Sequence, residues 1–361
     1  MGGIGEIERI ETVIVGGGQA GLATGYHLRR RGRPCVILEA DERIGDGWRS
    51  HWDSLRLFTP ATLSRLPGMR QPRGGWTFAT KDEFADYLEV YAARFDLDVR
   101  TGTRVEGISR QGNRYMVTTT HGRFEASHVV LATGAHREPR VPPFAARLDP
   151  AIVQLHSSGY RNAGQLRPGR ALVVGAGNSG SEIALELAAS HDVRLAGRDV
   201  PVFPVRPRSL PARVVMRAFL LVAKYVLTRS TPIGRRARPS VRSLAAPLIR
   251  VKPTDLSAAG VRRVGRVSSV RDGRPRLEDG TVLDVANVVW CTGFRVDFSW
   301  LDLPSFADAG EPAHRRGVVA GEPGIYLVGQ LFQHALASTF IGGVGRDARY
   351  IAARITHNHA A

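Results

Sequence analysis

An α/β fold with two Rossmann-like dinucleotide-binding units is predicted by three observations. The stretch VIVGGGQAGLATGYHL (13–28) places an apolar strand, G-x-G-x-x-G and a helix-like run in succession. The stretch LVVGAGNSGSEIALEL (172–187) repeats that order. Each is followed by a further apolar strand, so each completes a β-α-β unit, the context that turns a weak glycine motif into a specific one. With 361 residues, 43% of them hydrophobic, and 40 glycines, the chain can bury large cores and make many tight turns. That length corresponds to roughly two or three domain equivalents.

In chain order, VIVGGG ends a strand and QAGLATGYHLRRR reads as a helix whose basic last turn suits its dipole. PCVILEA is the next strand. IGDGWRSHWDSLRLFTP has no clean period. A helix over 81–95 is announced by the capping-box pattern Thr80-Lys81-Asp82-Glu83. Strands follow in LDVRTGTRVEGISR and YMVTTTHGRFEASHVVLATG, and Pro139, Pro142 and Pro143 mark a crossing. These features predict a first domain part over 1–145 and a second domain over 165–295, within which 199–256 reads as an irregular basic segment. The second unit runs through RALVVGAG, SGSEIALELAAS and DVRLAGR, with later strands in VRRVGRVSSV and TVLDVANVVWCTGF. The tail 296–361 holds the strand GIYLVGQ and FIGGVGRDARYIAARI, read as a glycine turn into a closing helix.

The formal net charge is +17, unevenly spread. Twenty Lys or Arg lie between Arg194 and Arg276, opposed by Asp199, Asp255 and Asp272. Such a field attracts anions. The basic stretch has no helix-turn-helix or zinc pattern and few aromatics, so nucleic acid is not expected as a partner. The two cysteines, Cys35 and Cys291, form no C-x-x-C, which argues against a redox dithiol or a cysteine metal site. His51, His314 and His334 are scattered, and no metal is expected. Low cysteine usage, an N-terminus without a signal-like apolar run and the lack of a span of about 20 apolar residues predict a soluble cytoplasmic protein.

In each cradle the first glycine (Gly16, Gly175) makes the tight turn. The second (Gly18, Gly177) lets backbone approach a pyrophosphate, and the third (Gly21, Gly180) lets helix and strand pack closely. Gln19 and Ala20, and Asn178 and Ser179, open the helices whose N-termini face the phosphates. Glu39 lies 23 residues after Gly16, where a carboxylate accepts from ribose hydroxyls. Arg198 lies 23 residues after Gly175, where a cation suits a 2′-phosphate. The first site therefore reads as one for FAD or NAD and the second as one for NADP. Together they predict hydride transfer from NADPH to FAD, whose electrons then go elsewhere.

With these residues the chain resembles the flavin-containing monooxygenases, including plant auxin-forming flavin monooxygenases and small bacterial relatives. The markers are GGGQAG (16–21), GDGW (45–48), LATG (131–134), HSSGYRN (156–162), GAGNSG (175–180), CTGF (291–294) and GIYLVGQ (324–330). The resemblance implies a discontinuous FAD domain, built from both ends of the chain, with the NADPH domain inserted. It adds Gly47, Trp48, Val105, Thr133, Gly134, Gly329 and Gln330 to the FAD contacts, and Thr292 and Gly293 to the NADP side. Many relatives of the wider class carry an acidic residue where Gln330 stands. Of the family fingerprint F-x-G-x-x-x-H-x-x-x-Y, His156 and Tyr160 are kept, while Pro150 and Ile152 replace its start. His156 is a candidate catalytic residue whose plainer reading is a linker hydrogen bond. Thr59 in LRLFTP is a second candidate, near the flavin C4a position by resemblance.

The implied reaction inserts one oxygen atom of O2 into a small organic substrate through a flavin C4a-hydroperoxide. A rival reading is a reductase that passes electrons to a quinone or a protein. A third is a nucleotide-binding regulator at a membrane, drawing on PARVVMRAFLLVAKYVLTR (211–229), where Arg213, Arg217 and Lys224 share one side of a helix. That segment can roof the substrate pocket, form a homodimer face or make weak contact with an anionic membrane surface. The need for an apolar lid favours pocket or dimer.

Overall fold

The strand Ile7–Val15 alternates its side chains between two cores, as a strand buried on both faces must. The computed structural model describes residues 7–134, 138–243, 246–308 and 310–357. Ile14 packs on one face with Leu22, Leu88 and Ile351, whereas Val13 and Val15 pack on the other with Val117, Val129 and Leu327. Its neighbours are the parallel strands Cys35–Leu38 and Gly122–Leu131. The sheet continues through Val99–Arg100 on one side and through Arg114–Thr119, Val105–Gln111 and Leu301–Asp302 on the other. Gly122–Leu131 serves two partners along one edge. Its first half pairs antiparallel with Arg114–Thr119 and its second half parallel with Ile325–Leu327. Strands from both ends of the chain thus share this ten-stranded sheet.

The second sheet has five parallel strands in the order Arg262–Val264, Asp192–Ala196, Arg170–Val174, Asn287–Trp290, Val153–His156. Ala171, Val173, Leu195 and Val289 face one core, and Leu172, Val174, Ala196 and Val288 the other. The sheets are joined by a two-stranded ribbon in which Phe294–Arg295 pairs antiparallel with Glu138–Pro139.

The helix Lys81–Arg94 starts where its capping box predicts. Thr80 Oγ1 accepts from Glu83 N–H at 3.1 Å, and Thr80 N–H donates to Glu83 Oε2 at 3.0 Å. The tail departs from the sequence reading: Gly342, Gly343 and Gly345 lie inside the helix Ile341–His357, not in a turn before it. Close packing is the reason. A Cβ on these glycines would stand 2.0 Å from Leu63 O, 1.9 Å from Ala337 O and 2.4 Å from Pro67 Cγ. The stretch 199–256 is only partly irregular. It carries helices Ala212–Leu221, Pro232–Ser243 and Pro253–Ala258, with a π-turn over Val222–Val226.

Candidate active site

The two cradles have matching backbone geometry. Gly16 (φ 107°) and Gly175 (φ 111°) sit in the left-handed region that glycine tolerates. Their N–H groups donate to Leu38 O and Ala196 O, each at 2.8 Å, which holds each turn against the neighbouring strand. Gly18 and Gly177 cap helices Gln19–Arg29 and Asn178–Leu187 with extended backbone, and neither supplies a side-chain cap. A Cβ on Gly21 would stand 1.9 Å from Gly16 O, and one on Gly180 1.8 Å from Gly175 O. Helix and turn touch so closely that the first-turn N–H groups are left for an anion at the mouth.

Around the first cradle the fold gathers most residues singled out from the sequence. Glu39 ends the strand after the helix. Its Oε2 accepts from Gly17 N–H at 2.6 Å and its Oε1 from Asp41 N–H at 3.0 Å. Burial raises this carboxyl, and the N–H groups of Asp41 and Gly17 oppose the rise. Each oxygen keeps a lone pair for a further donor. Gln19 Oε1 accepts from Trp48 Nε1 at 3.2 Å, and Gly47 lies in the same short helix, Asp46–Arg49. A Cβ on Gly329 would stand 3.0 Å from the Cβ of Ala20. Thr133 and Gly134 follow Leu131, and Gly329 and Gln330 follow Leu327, its register partner. Thr133 Oγ1 and Gln330 Nε2 are buried without a hydrogen-bond partner among the described residues. Two such orphans at adjacent strand ends, beside a helix N-terminus, are the signature of groups that a bound polar ligand satisfies. The residues therefore fit a flavin nucleotide. Val105 starts the strand Val105–Gln111 and packs on the core that holds Val15, Leu38 and Leu131, two residues after Thr103, whose N–H donates to Glu39 O at 2.8 Å.

At the second cradle Asn178 turns its side chain onto the loop above. Its Nδ2 donates to Pro247 O at 2.9 Å, and its Oδ1 accepts from Ile249 N–H at 3.0 Å. Ser179 is half-buried on the same turn. Arg198 is exposed just past Asp192–Ala196. Arg263 on the next strand braces that turn, its Nη2 donating to Gly197 O at 2.9 Å.

Thr292, Gly293 and His156 meet at the ribbon between the sheets. Thr292 Oγ1 donates to Arg140 O, and Arg140 N–H to Gly293 O at 2.9 Å. His156 Nδ1 accepts from Ser158 N–H at 3.2 Å, so the ring proton sits on Nε2 and is donated to Gly293 O at 3.0 Å. Burial pushes this imidazole below its ordinary pKa. His156 thus ties Val153–His156 to the segment Thr292–Gly293. Thr59 bonds Ser64 Oγ within its own turn, and Ser64 Oγ donates to Thr59 O at 3.1 Å.

Three features had no sequence signal. Trp52, only four residues after Trp48, is buried in the core of the second unit with Tyr160 and Ala184. Gln333 Nε2 donates to Leu327 O at 2.8 Å and its Oε1 accepts from Gln330 N–H at 3.3 Å, fixing the turn after the last strand. Arg250 Nη1 reaches both Arg56 O (2.9 Å) and Glu182 Oε2 (3.2 Å), and burial raises the Glu182 carboxyl to about 7. The cysteines are separate, one beside each core, and burial pushes both thiols up to about 12. Neither supplies a thiolate near neutral pH.

Two anion cradles, each at the ends of parallel strands in its own sheet, define an oxidoreductase that uses a flavin and a nicotinamide nucleotide. The chain belongs to the pyridine nucleotide-disulphide oxidoreductase family, whose model matches residues 13–209, and within it to the flavin-containing monooxygenase group. It is 36% identical to an uncharacterized CzcO-like oxidoreductase of Geobacillus kaustophilus, over 95% of this chain and 97% of that protein. It is 30% identical to the indole-3-pyruvate monooxygenase YUCCA1 of Oryza sativa subsp. japonica, over 89% of this chain and 88% of that protein. A solved flavin-containing monooxygenase from Stenotrophomonas maltophilia superposes with a TM-score of 0.80 at 28% identity, covering 98% of this chain and all of that one.

Proposed function

We propose that the protein is an FAD-dependent, NADPH-consuming monooxygenase that inserts one oxygen atom of O2 into a small organic substrate. The observation that carries the reading is the second cradle, built to the geometry of the first and facing its own helix N-terminus. Two such sites in one chain have a use when one dinucleotide reduces the other. When bound, the flavin accepts hydride and hands electrons to oxygen, so the protein need only bind, orient and exclude water. The chain's own residues divide that work. Gly16, Gly18 and Gly21 cradle the FAD pyrophosphate, and Glu39 takes the ribose hydroxyls. Thr133 Oγ1 and Gln330 Nε2 supply the buried polar contacts. Gly175, Gly177 and Gly180 cradle NADP, with Arg198 at its 2′-phosphate. His156 positions the linker and does not touch the reacting atoms. The two thiols lie against different cores and form no dithiol to take the electrons.

The test is rapid mixing of NADPH-reduced protein with oxygenated buffer, without substrate, followed by the flavin absorbance. Oxidised flavin that returns slowly when NADP is bound supports the oxygenase. Oxidised flavin that returns at once, together with rapid turnover on quinones or a protein acceptor, establishes the reductase instead.

A further inference from the structure

We propose that the face carrying Leu210, Val214, Leu221, Val222, Tyr225 and Ile233 docks this protein on an anionic lipid bilayer. Leu210 is 77% exposed, Val214 71%, Tyr225 60%, and Leu221 and Ile233 59% each. Val214, Leu221 and Tyr225 recur at i, i+7 and i+11, one stripe along the helix Ala212–Leu221 and its π-turn. The same segment already has an inner face, where Ala212, Met216 and Ala223 are buried, the first two against Phe203. The exposed stripe is therefore a second apolar surface. Among the described residues its one intrachain partner is Arg346, whose guanidinium lies over the Tyr225 ring at 4.9 Å, and the rest of the stripe faces outward. Half of the exposed large apolar side chains among the described residues fall within 210–233. A monomer rarely gathers them so without a partner.

The charge selects the partner. Residues 200–254 hold twelve Lys or Arg and no Asp or Glu. Arg213 and Arg217 are exposed beside the stripe. Arg206, Arg242 and Arg250 pair with Asp255, Glu311 and Glu182, but among the described residues Arg213 and Arg217 beside the stripe have no such acid, so a second copy on a two-fold axis would set like charges against each other. An anionic lipid surface complements both the apolar stripe and the cations. Among the described residues no helix is long and apolar enough to cross a membrane, so the contact is interfacial. The docking face is rigidly joined to the body. Thr228 bridges Ala335, Arg229 N–H donates to His334 O at 2.8 Å, and Leu336 N–H donates to Leu227 O at 2.9 Å.

The experiment is cosedimentation of the flavin-loaded protein with vesicles of phosphatidylglycerol and phosphatidylcholine in equal parts, or of phosphatidylcholine alone. The pelleted flavin absorbance is the readout. The parent is expected to pellet with the mixed vesicles, to stay in solution with phosphatidylcholine, and to be released by high salt. Arg213→Gln/Arg217→Gln is expected to weaken binding about thirty-fold, at roughly fivefold per arginine near an anionic surface. Val214→Ser/Leu221→Ser/Tyr225→Ser is expected to abolish it while flavin content and NADPH oxidation stay unchanged. A parent that does not pellet with the mixed vesicles, or a triple variant that pellets as the parent does, overturns the proposal. So does a dimer seen by analytical ultracentrifugation that the triple variant dissolves.

Discussion

Replacing Gly180 with alanine separates the two cradles experimentally. The new Cβ would stand 1.8 Å from Gly175 O, and real Cβ atoms do not approach closer than 3.0 Å. Turn and helix must therefore part by at least 1.2 Å at the point where the first-turn N–H groups face the nucleotide. Helix propensity alone favours alanine over glycine by about 1 kcal/mol. Overpacking of this kind costs about 1–3 kcal/mol, so the net loss of fold stability is about 2 kcal/mol at most. Binding geometry does not share that compensation, because a misplacement of about 1 Å costs on the order of a hundredfold in rate. Gly180→Ala is expected to lower kcat/KM for NADPH by about that factor with flavin content unchanged. Gly21→Ala, with its 1.9 Å contact, is expected to lose flavin instead. Steady-state NADPH oxidation and the flavin-to-protein absorbance ratio read the two effects. A Gly180→Ala protein whose kcat/KM for NADPH stays within about twofold of the parent would refute the assignment of the second cradle.

Arg198→Ala is expected to cut kcat/KM for NADPH about ten- to a hundredfold while leaving NADH unchanged, the worth of a hydrogen bond to a charged group. Equal loss with both cofactors would show a general role. Burial pushes His27 and His334 from 6.5 down to about 4, so the unfolded chain binds their protons more readily. The folding stability they support is full above about pH 6.5 and falls as pH drops toward about 4. Thermal unfolding across that range reads the slope, and His27→Gln is expected to flatten part of it. Thr80→Ala removes one half of the capping box and is expected to cost about 1 kcal/mol in denaturant unfolding with unchanged turnover.

What was legible in the sequence was local. The cradles are legible because a strand, three glycines and a helix lie within sixteen residues, and the third glycine's constraint comes from its own turn. The capping box at Thr80 is legible for the same reason. Gly342, Gly343 and Gly345 misled because glycine disfavours helix in isolation, whereas here Leu63, Ala337 and Pro67 press so close that only glycine fits. Gln333 was invisible because its partners, Leu327 O and Gln330 N–H, are backbone groups brought near by a turn that has no sequence pattern. Tyr225 and Val214 carried a period that showed an amphipathic helix, but the sequence could not say which of its two apolar sides faced inward.

The loop after GDGW explains how two cradles can serve one reaction. Trp48 donates to Gln19 at the first cradle helix, while Trp52 is buried in the core beneath the second. Between and beyond them, Asp53 N–H donates to Arg161 O at 2.8 Å, and Arg250 ties Arg56 O to Glu182 on the helix that follows the second cradle. The loop is thus fastened to both phosphate sites within nine residues. The ribbon of Glu138–Pro139 and Phe294–Arg295, with His156 holding Gly293 O, is the second fastening. Two attachments far apart in sequence restrict rotation of one sheet against the other, where one linker alone would leave a hinge. Hydride transfer demands reacting atoms within van der Waals range, and that demand falls on the placement of the units more than on any single side chain. Trp52, on the loop that also reaches the first cradle and buried in the core of the second unit, is one of the side chains that fix that placement.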